Sequence, residues 1–398
     1  MRAESGFASA RMHAAAECDL ILPSCRPGEH GIKGPMIHSM NRRIVLTGGG
    51  SSGHVVPCLP VGDALAAEGY EIHYIGSATG PERDIVASRP WPFHSIASDK
   101  LRRYRSAQNL AIPINVAKGF LGAYRALARL SPAAVFSKGG YVAVPVVFAA
   151  WLLRIPIIAH ESDLSPGLAN RLSLPFCRKL CTTFPPRYLK RPPSRKTVFT
   201  GLPLRPEFFD ASAMRADVTF NLDPARPLLV IFGGSSGSVV INTAVREVLP
   251  ELLARYQVVN LVGRGNIDET LTGRAGYQQF EYIHDGMADL LARADLVVSR
   301  AGMTTVVELI ASRKAAVLIP LPLGASRGDQ IENAALVEQL GLFQVLDQAQ
   351  LTPAALLTRV EAAAASAKDP ARSAAFDSLA IPVTPDPIVE VIKSEMRS

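Results

Sequence analysis

The stretch Val45-Leu46-Thr47-Gly48-Gly49-Gly50-Ser51-Ser52-Gly53-His54 decides the fold expected for the first half of this chain. The apolar run Ile44-Val45-Leu46 is typical of a buried parallel strand, and the apolar periodicity through Val61 and Leu65 predicts a helix after the glycines. Glycine has no Cβ, and the first N–H groups of a helix lack partners within it, so such a unit can bind an anion. A second unit follows at Leu229-Val230-Ile231-Phe232-Gly233-Gly234-Ser235-Ser236-Gly237. Two units predict two similar α/β domains that face each other across a ligand.

Size and composition limit what kind of protein this chain can be. With 398 residues, 48% of them hydrophobic, it can bury two ordinary cores, so two domains are expected. The formal net charge of +7 is modest for this length, and no zinc-finger spacing, RNP motif or long basic arm points to nucleic acid. Five cysteines, an odd number in a large chain, favour a reducing compartment over a disulfide scaffold.

The N-terminus and the hydrophobic runs bear on location. Residues 1–39 fit neither a secretory signal nor a membrane span, so we interpret them as a disordered extension or the product of a start codon placed too early. No later run reaches the roughly 18 uninterrupted apolar residues that a spanning helix needs. The sequence therefore predicts a protein that is soluble or bound at most to a membrane surface.

Short apolar segments alternate with helical segments along the rest of the chain. This alternation predicts parallel sheets with right-handed crossovers, whose ligands lie beyond the carboxyl ends of the strands. In the first half, strands are predicted at 44–46, 71–76, 93–96, 134–137 and 156–160. The polar side chains that follow these strands are expected to converge on one cleft: His54, Lys138, Tyr141, His160 and Glu161.

A segment rich in proline and arginine, residues 182–227, predicts a hinge with the domain boundary near Gly201. Beyond it the alternation repeats, with strands predicted at 228–232, 257–262, 280–283, 296–299, 316–319 and 343–346, and a helical pattern over 381–396. We expect an N-terminal domain over 40–200, a C-terminal domain over 201–380, and a final helix over 381–398 that packs back on the N-terminal domain.

The segment Lys100–Leu121 has two interpretations. Its basic residues, which precede an apolar and helix-compatible stretch, fit a patch that meets anionic lipid head groups while Ile, Leu and Phe enter the acyl region. An amphipathic core helix preceded by a solvated basic loop explains the same pattern and is favoured by these residues alone.

The turn Gly48–Gly53 also satisfies the G-x-G-x-x-G pattern of dinucleotide-binding proteins. Such proteins place an acid at the end of the second strand to hold the ribose. Here that strand ends Tyr74-Ile75-Gly76-Ser77, and its one acid, Glu71, lies at the opposite end. The missing acid counts against dinucleotide binding.

In the second half, Ser299–Glu308 forms another strand–glycine–helix unit. Thr304 and Thr305 are predicted to cap the helix and leave N–H groups for a diphosphate. Glu308 is placed to accept both ribose hydroxyls of a nucleotide, or equally to interact with the helix dipole. The polar groups of Ser326–Asn333 either reach a sugar or form an ordinary polar loop.

Taken together, these motifs resemble those of the MurG family, which transfers N-acetylglucosamine from UDP-GlcNAc to the lipid-linked muramyl-pentapeptide precursor of peptidoglycan. The resemblance runs from about Arg43 to the C-terminus and rests on the joint order of several motifs: the glycine turn ending Gly53-His54, Gly139-Gly140-Tyr141-Val142, His160-Glu161, Pro166-Gly167-Leu168-Ala169-Asn170, Gly233-Gly234-Ser235, Arg300-Ala301-Gly302 with Glu308, and Gln330 with Asn333.

The resemblance implies a GT-B fold, in which two Rossmann-like parallel-sheet domains face each other across a cleft. It implies catalytic roles for His54, as general base or at least in positioning the acceptor, and for Glu161. On the acceptor side, the substrate-binding residues that it implies are Ser51, Ser52 and Gly53, for the sugar and the acceptor diphosphate, with Tyr141 and Asp163 nearby. For the donor, it implies that the backbone of Ile283 meets uracil, that Glu308 binds the ribose and that Gln330 binds the sugar hydroxyls. The donor diphosphate is expected to meet Arg205, Ser235 and the first residues of the helix: Met303, Thr304, Thr305, Val306 and Val307.

The expected chemistry is direct displacement with inversion, and neither a cofactor nor a metal is expected. The acceptor hydroxyl must lose a proton, for which a histidine that titrates near neutrality is suited. Arg205 and a helix N-terminus can stabilise the departing UDP, and the sequence has no Asp-x-Asp cation motif. The family acts at the cytoplasmic membrane face, so the resemblance favours membrane docking through Lys100–Leu121.

Four positions depart from the family pattern, which makes this chain a divergent member. The usual Gly-Gly-Thr-Gly-Gly-His is Gly-Gly-Ser-Ser-Gly-His, with Ser52 adding a side chain, and Leu202 replaces an asparagine. Asp163 and Asp329 replace amides. Acids near an anionic donor are expected to weaken donor binding or to change which donor is bound. A paralogue with another lipid acceptor, a sugar-nucleotide epimerase and a non-catalytic UDP-GlcNAc-binding regulator remain alternatives.

Overall fold

Two all-parallel sheets form the framework of the protein. The computed structural model describes residues 42–98, 112–190, 195–234 and 237–396, so the prediction for residues 1–39 lies outside the described part of the chain. The first sheet has the order β3-β2-β1-β4-β5-β6-β7. Its strands are β1 (Arg43–Thr47), β2 (Glu71–Ser77), β3 (Phe93–Ile96), β4 (Ala134–Ser137), β5 (Ile157–Glu161), β6 (Lys179–Thr182) and β7 (Thr197–Phe199).

Helices cover both faces of this sheet, which explains why its central strands are apolar throughout instead of alternating. Ile44 and Leu46 of β1 point into one buried cluster, while Val45 points into another on the opposite face. The helices of this domain are α1 (Cys58–Ala67), α2 (Pro81–Val86), α3 (Ile112–Leu130), α4 (Ala143–Leu152) and α5 (Leu168–Ser173).

The second sheet repeats the design with the order β10-β9-β8-β11-β12-β13. Its strands are β8 (Leu228–Phe232), β9 (Gln257–Leu261), β10 (Tyr277–Phe280), β11 (Leu296–Ser299), β12 (Ala315–Leu318) and β13 (Gln344–Val345). The helices that follow β7 are α6 (Pro206–Phe209), α7 (Ala213–Thr219), α8 (Val239–Glu247), α9 (Leu249–Leu253), α10 (Met287–Arg293), α11 (Met303–Ala311), α12 (Asp329–Gln339), α13 (Pro353–Ser366), α14 (Pro370–Leu379) and α15 (Asp386–Met396).

Two chain segments cross between the domains side by side. The Leu202 amide donates to the Pro382 carbonyl at 3.0 Å, and the Leu204 amide donates to the Val383 carbonyl at 2.8 Å. Gly201 has a φ of +72°, and a Cβ there would overlap the Pro382 backbone, so only glycine fits this crossing. The chain then returns to the first domain, where Ile388 and Ile392 of α15 join the cluster of β1 and β2.

The structure corrects three details of the sequence prediction, the first being that β6 was not predicted. The strand predicted at 280–283 lies three residues earlier, at Tyr277–Phe280, because Tyr277 is the residue that pairs with Val258 of β9 and enters the core. The proline-rich segment predicted as a hinge contains β7, which adds to the sheet edge beside β6. Within the described residues, the search for a helix of the length and apolarity needed to cross a bilayer finds none.

Candidate functional site

The first glycine turn lies where the strand order of the N-terminal sheet reverses. β1 pairs with β2 on one side and with β4 on the other, so the loops after β1 and β4 open a crevice at their carboxyl ends. The two loops interlock through glycines. Gly140 has a φ of +82°, and a Cβ there would overlap the Gly49 carbonyl oxygen, while a Cβ on Gly50 would overlap the Tyr141 ring. The loop after β4 therefore depends on residues that have no side chain.

A buried glutamate that the sequence prediction missed holds the first turn in place. Glu82, on α2, is completely buried and accepts hydrogen bonds from the Gly50 amide at 3.1 Å and the Ser77 amide at 3.0 Å. The Ser77 hydroxyl donates to the same carboxyl group. From the other side, the buried Tyr74 hydroxyl donates to the Gly48 carbonyl at 2.8 Å. The acid sought near the end of β2 therefore exists, five residues beyond Ser77, and supports the turn instead of a ribose.

His54 ends the short 3₁₀ turn Ser52–His54 that follows the glycines. Its Nδ1 is buried without a hydrogen-bond partner among the residues that the structure describes. Burial and the nearby Lys138 ammonium lower the pKa of His54 to about 4, with Arg327 lowering it further and Asp163 opposing them. The sequence prediction of a base that titrates near neutrality therefore does not hold here, because desolvation and two cations favour the neutral imidazole. Ser51 and Gly53 beside it are exposed, and Ser52 is half-buried.

Lys138 directly follows β4 and brings a buried positive charge next to His54. Its ammonium group donates to the Ser162 hydroxyl. Burial lowers the pKa of Lys138, while Glu161 and Asp163 act in the opposite direction. The loops after β4 and β5 are thus linked by a cation as well as by packing.

Glu161 and His160, which end β5, are engaged in holding loops. Glu161 accepts hydrogen bonds from the amides of Asp163 and Gly167, both at 3.1 Å, and from Asn170 Nδ2 at 2.8 Å. His160 is fully buried, and its Nε2 lies 2.8 Å from the Gly201 carbonyl at the domain crossing. These contacts favour a positioning role for both residues, and the catalytic role predicted for Glu161 stays a prediction.

Asp163 connects the two domains across the cleft. One oxygen accepts from Asn333 Nδ2 at 3.1 Å, and the other forms an ion pair with Arg327. A second cross-domain ion pair joins Lys190 to Glu332 at 2.9 Å. Asp163 follows β5 and Arg327 follows β12, so the carboxyl ends of both sheets open onto the same cleft.

The second domain presents the same geometry at its own reversal of strand order. β8 pairs with β9 and β11, so the glycine turn after β8 lies beside the N-terminus of α11. The cap of α11 is Gly302, with no side-chain hydrogen bond, so Thr304 and Thr305 lie within the first turn; the prediction that they cap the helix is wrong. No atom lies within 4 Å of an added Cβ at either Gly302 or Gly234. The free amides of α11 therefore face open space.

The remaining predicted donor residues lie around α11. Glu308 is half-buried one turn into the helix; desolvation raises its pKa to about 7, and the nearby Arg205 opposes that shift. Gln330 accepts the Leu321 amide at 3.1 Å, which fixes the direction of its side chain. Ile283, Met303, Val306 and Val307 have buried side chains, which leaves their backbone for any ligand. Ser235 and the basic residues Lys100–Arg105 lie outside the described residues.

Comparison with known proteins assigns the chain to a family. Residues 44–182 match the glycosyltransferase family 28 N-terminal domain, and residues 228–379 match the glycosyltransferase family 28 C-terminal domain. A Clostridium perfringens protein is 45% identical over 321 residues, which cover 80% of this chain and 89% of the relative. It is a UDP-N-acetylglucosamine–N-acetylmuramyl-(pentapeptide) pyrophosphoryl-undecaprenol N-acetylglucosamine transferase. The chain belongs to the MurG family.

Other MurG-family proteins and solved structures agree. A Bacillus cereus transferase of the same description, numbered 2, is 44% identical over 320 residues, 80% of this chain and 91% of the relative. The structure of Acinetobacter baumannii MurG is 25% identical, with a TM-score of 0.69 over 89% of this chain and 99% of that one. A kitacinnamycin glycosyltransferase, 17% identical with a TM-score of 0.70 over 89% of this chain and 98% of that one, shares the fold. The predicted GT-B fold and glycosyltransferase activity are confirmed.

Proposed function

We propose that the cleft carries out a direct, inverting and metal-independent transfer of N-acetylglucosamine from UDP-GlcNAc to the lipid-linked muramyl-pentapeptide. One observation carries this proposal: each sheet places a strand–glycine–helix unit at its reversal of strand order, and both units open onto one cleft. One unit can hold the nucleotide donor and the other the diphosphate of the acceptor. We assign residues 40–200 to the acceptor and the membrane, and residues 201–380 to the donor.

The donor side matches the charges of a nucleotide diphosphate. The N-terminus of α11, which has no side-chain cap, supplies backbone N–H groups, and Arg205 adds a positive charge. Fixed donors of this kind stabilise the charge that develops on departing UDP without reorganising during the reaction. Glu308 would accept the ribose hydroxyls, and Gln330, oriented by its bond to Leu321, would reach the sugar. Ser235, in the glycine turn that follows β8 in the sequence, is assigned to the diphosphate.

The acceptor side supplies the base. The acceptor hydroxyl loses its proton as its oxygen attacks the anomeric carbon and the bond to UDP breaks. His54 is neutral in this cleft at physiological pH and has an unpartnered Nδ1 among the described residues, so it can accept that proton. Ser51, Ser52 and Gly53 immediately precede it, and the Tyr141 ring packs against Gly50 of the same turn.

A transfer assay tests the proposal. Purified full-length protein is given radiolabelled UDP-GlcNAc and the lipid-linked muramyl precursor in detergent micelles, with and without EDTA. We expect label in the lipid product, unchanged by EDTA; loss of transfer that Mg²⁺ restores would overturn metal independence. Donor hydrolysis with no lipid product would instead support another acceptor. His54→Ala should lower turnover about 100-fold with donor binding retained, because a general base contributes roughly 10²–10⁴. His94→Gln, on the edge strand β3, is the control.

We also propose that the protein docks on the cytoplasmic face of the membrane through Lys100–Leu121 and the neighbouring helices. Exposed apolar side chains lie on α3, α4 and α5, which pack side by side: Val116, Leu121, Trp151, Leu152, Leu168 and Leu172. The exposed Arg154 and Arg171 flank them. Such a surface suits insertion into an anionic interface.

Liposome flotation tests the docking. Replacing Arg102, Arg103 and Arg105 with glutamate should release the protein from anionic vesicles, as should Trp151→Gln. The matched control places the same three charge reversals at Arg255, Arg264 and Arg274, exposed on the second domain. If the control loses vesicle binding to the same extent, net charge alone explains the effect. If the variant at Arg102, Arg103 and Arg105 floats as the wild type does, the proposed membrane patch is refuted.

A further inference from the structure

Arg327 lies between the two carboxylates that depart from the family pattern. Its guanidinium pairs with Asp163, and its Nε lies 3.5 Å from Asp329 Oδ1. The three side chains are largely removed from solvent, at 33% exposed for Arg327, 14% for Asp163 and 24% for Asp329. One cation therefore faces two acids in a partly desolvated place, where their interaction is screened less than on an open surface.

The arrangement spans the cleft. Asp163 comes from the loop after β5, whereas Arg327 and Asp329 flank the start of α12 in the second domain. Asn333, one turn further along α12, donates to the remaining oxygen of Asp163 at 3.1 Å, and a Cβ on Gly167 would overlap the guanidinium. The pairing therefore holds the loop after β5 against the helix that carries Gln330.

Charge balance gives the cluster its consequence for the donor. UDP-GlcNAc brings a diphosphate, so two uncompensated carboxylates nearby would repel it, and like charges brought together in a binding site cost several kcal/mol. One guanidinium carries a single positive charge, so it cancels one of the two carboxylate charges and lowers that repulsion. Asp163 and Asp329 stand where the family resemblance places amides, so Arg327 partly offsets these two departures.

We propose that Arg327 is a positioning residue for donor binding: it offsets the charge of one of the two carboxylates, Asp163 and Asp329, and bridges the domains, without itself holding the donor. This inference rests on the proposed use of UDP-GlcNAc. A charge-compensating role can be told apart from a direct contact between Arg327 and the donor. If Arg327 only compensates charge, donor binding should no longer require it once Asp163 has lost its charge.

Steady-state kinetics with varied UDP-GlcNAc, together with calorimetric binding of UDP-GlcNAc, test this dependence. Arg327→Gln should raise the donor KM about tenfold, since two acids then face the diphosphate, with kcat changed less than about threefold. Arg327→Lys keeps the charge and should stay within about threefold of the wild-type KM. The double variant Asp163→Asn with Arg327→Gln should recover most of the lost affinity, because an amide replaces the repelling acid.

Each other outcome overturns the inference. A double variant as weak as Arg327→Gln would mean that Arg327 holds the donor itself, and an unchanged KM with a lowered Tm would mean a purely structural pair. Arg313→Gln, which breaks an exposed pair with Asp377 in the same domain, is the matched control and should leave KM unchanged. Failure of the wild-type protein to transfer the sugar would refute the proposed function, whereas the calorimetric comparison of variants would still decide the role of Arg327.

Discussion

Replacing Glu82 with glutamine tests whether one buried carboxyl group holds the glycine turn. Glu82 accepts from the Gly50 and Ser77 amides at 3.1 and 3.0 Å and also from the Ser77 hydroxyl. Glutamine has nearly the same shape but offers only one accepting oxygen. Whichever way its amide turns, an NH₂ group faces a backbone N–H, and that N–H, buried at Ser77 or part-buried at Gly50, loses its partner.

The expected loss of stability follows from the one backbone N–H that has no acceptor in the variant. A buried donor without an acceptor costs about 1–3 kcal/mol, so Glu82→Gln should destabilise the N-terminal domain by about 2 kcal/mol. Both tryptophans of the chain, Trp91 and Trp151, lie in this domain, so tryptophan fluorescence during urea unfolding reports on it alone. Because the same turn carries Ser51 to His54, kcat for sugar transfer should fall as well.

Glu338→Gln provides the matched control. Glu338 is exposed near the end of α12, so the same chemical change should shift stability by less than about 0.5 kcal/mol. If the urea midpoint and kcat of Glu82→Gln equal those of the control, then Glu82 does not hold the turn and the stated role of its hydrogen bonds is wrong.

Three further outcomes are expected. Gly140→Ala should abolish transfer and lower the Tm, since its Cβ would overlap the Gly49 carbonyl at a φ of +82°; normal activity would contradict the interlocked loops. Calorimetry should show UDP-GlcNAc binding more tightly as pH rises through about 7, where Glu308 ionises, and Glu308→Gln should flatten that profile. NMR titration should show the pKa of His54 rising from about 4 when UDP is added, because an anion stabilises the imidazolium.

The fold could be predicted from local pattern because its signals are local. Val45 and its neighbours are apolar on both faces, as a central parallel strand requires, and glycines stop the strand where the chain must turn. The strands at Lys179–Thr182 and Thr197–Phe199 both escaped prediction; both are short, and the second has three half-buried residues at a sheet edge among prolines, which carry little pattern. The start of α11 was misplaced for a related reason: Gly302 occupies the N-cap position without a capping side chain, so the sequence signal of the two threonines outweighed it.

The supporting contacts of the site could not be predicted because they join residues far apart in sequence. Glu82 lies 32 positions from Gly50, and Arg327 lies 164 positions from Asp163. Composition marks these side chains as ordinary charged residues, and only the folded sheet brings them to the strand ends. From the sequence alone, Asp163 predicted weaker donor binding, whereas the structure places the cation Arg327 beside it.

The same charges connect donor binding to the strength of the proposed base. Burial, together with Lys138 and Arg327, lowers the pKa of His54, which keeps the imidazole neutral but weakly basic. A diphosphate that enters the cleft offsets this positive potential, so the imidazole becomes a stronger base when the donor is bound. Proton removal from the acceptor is then favoured only when a sugar is present to receive the attacking oxygen. If the donor did not alter this potential, the base would have no such dependence.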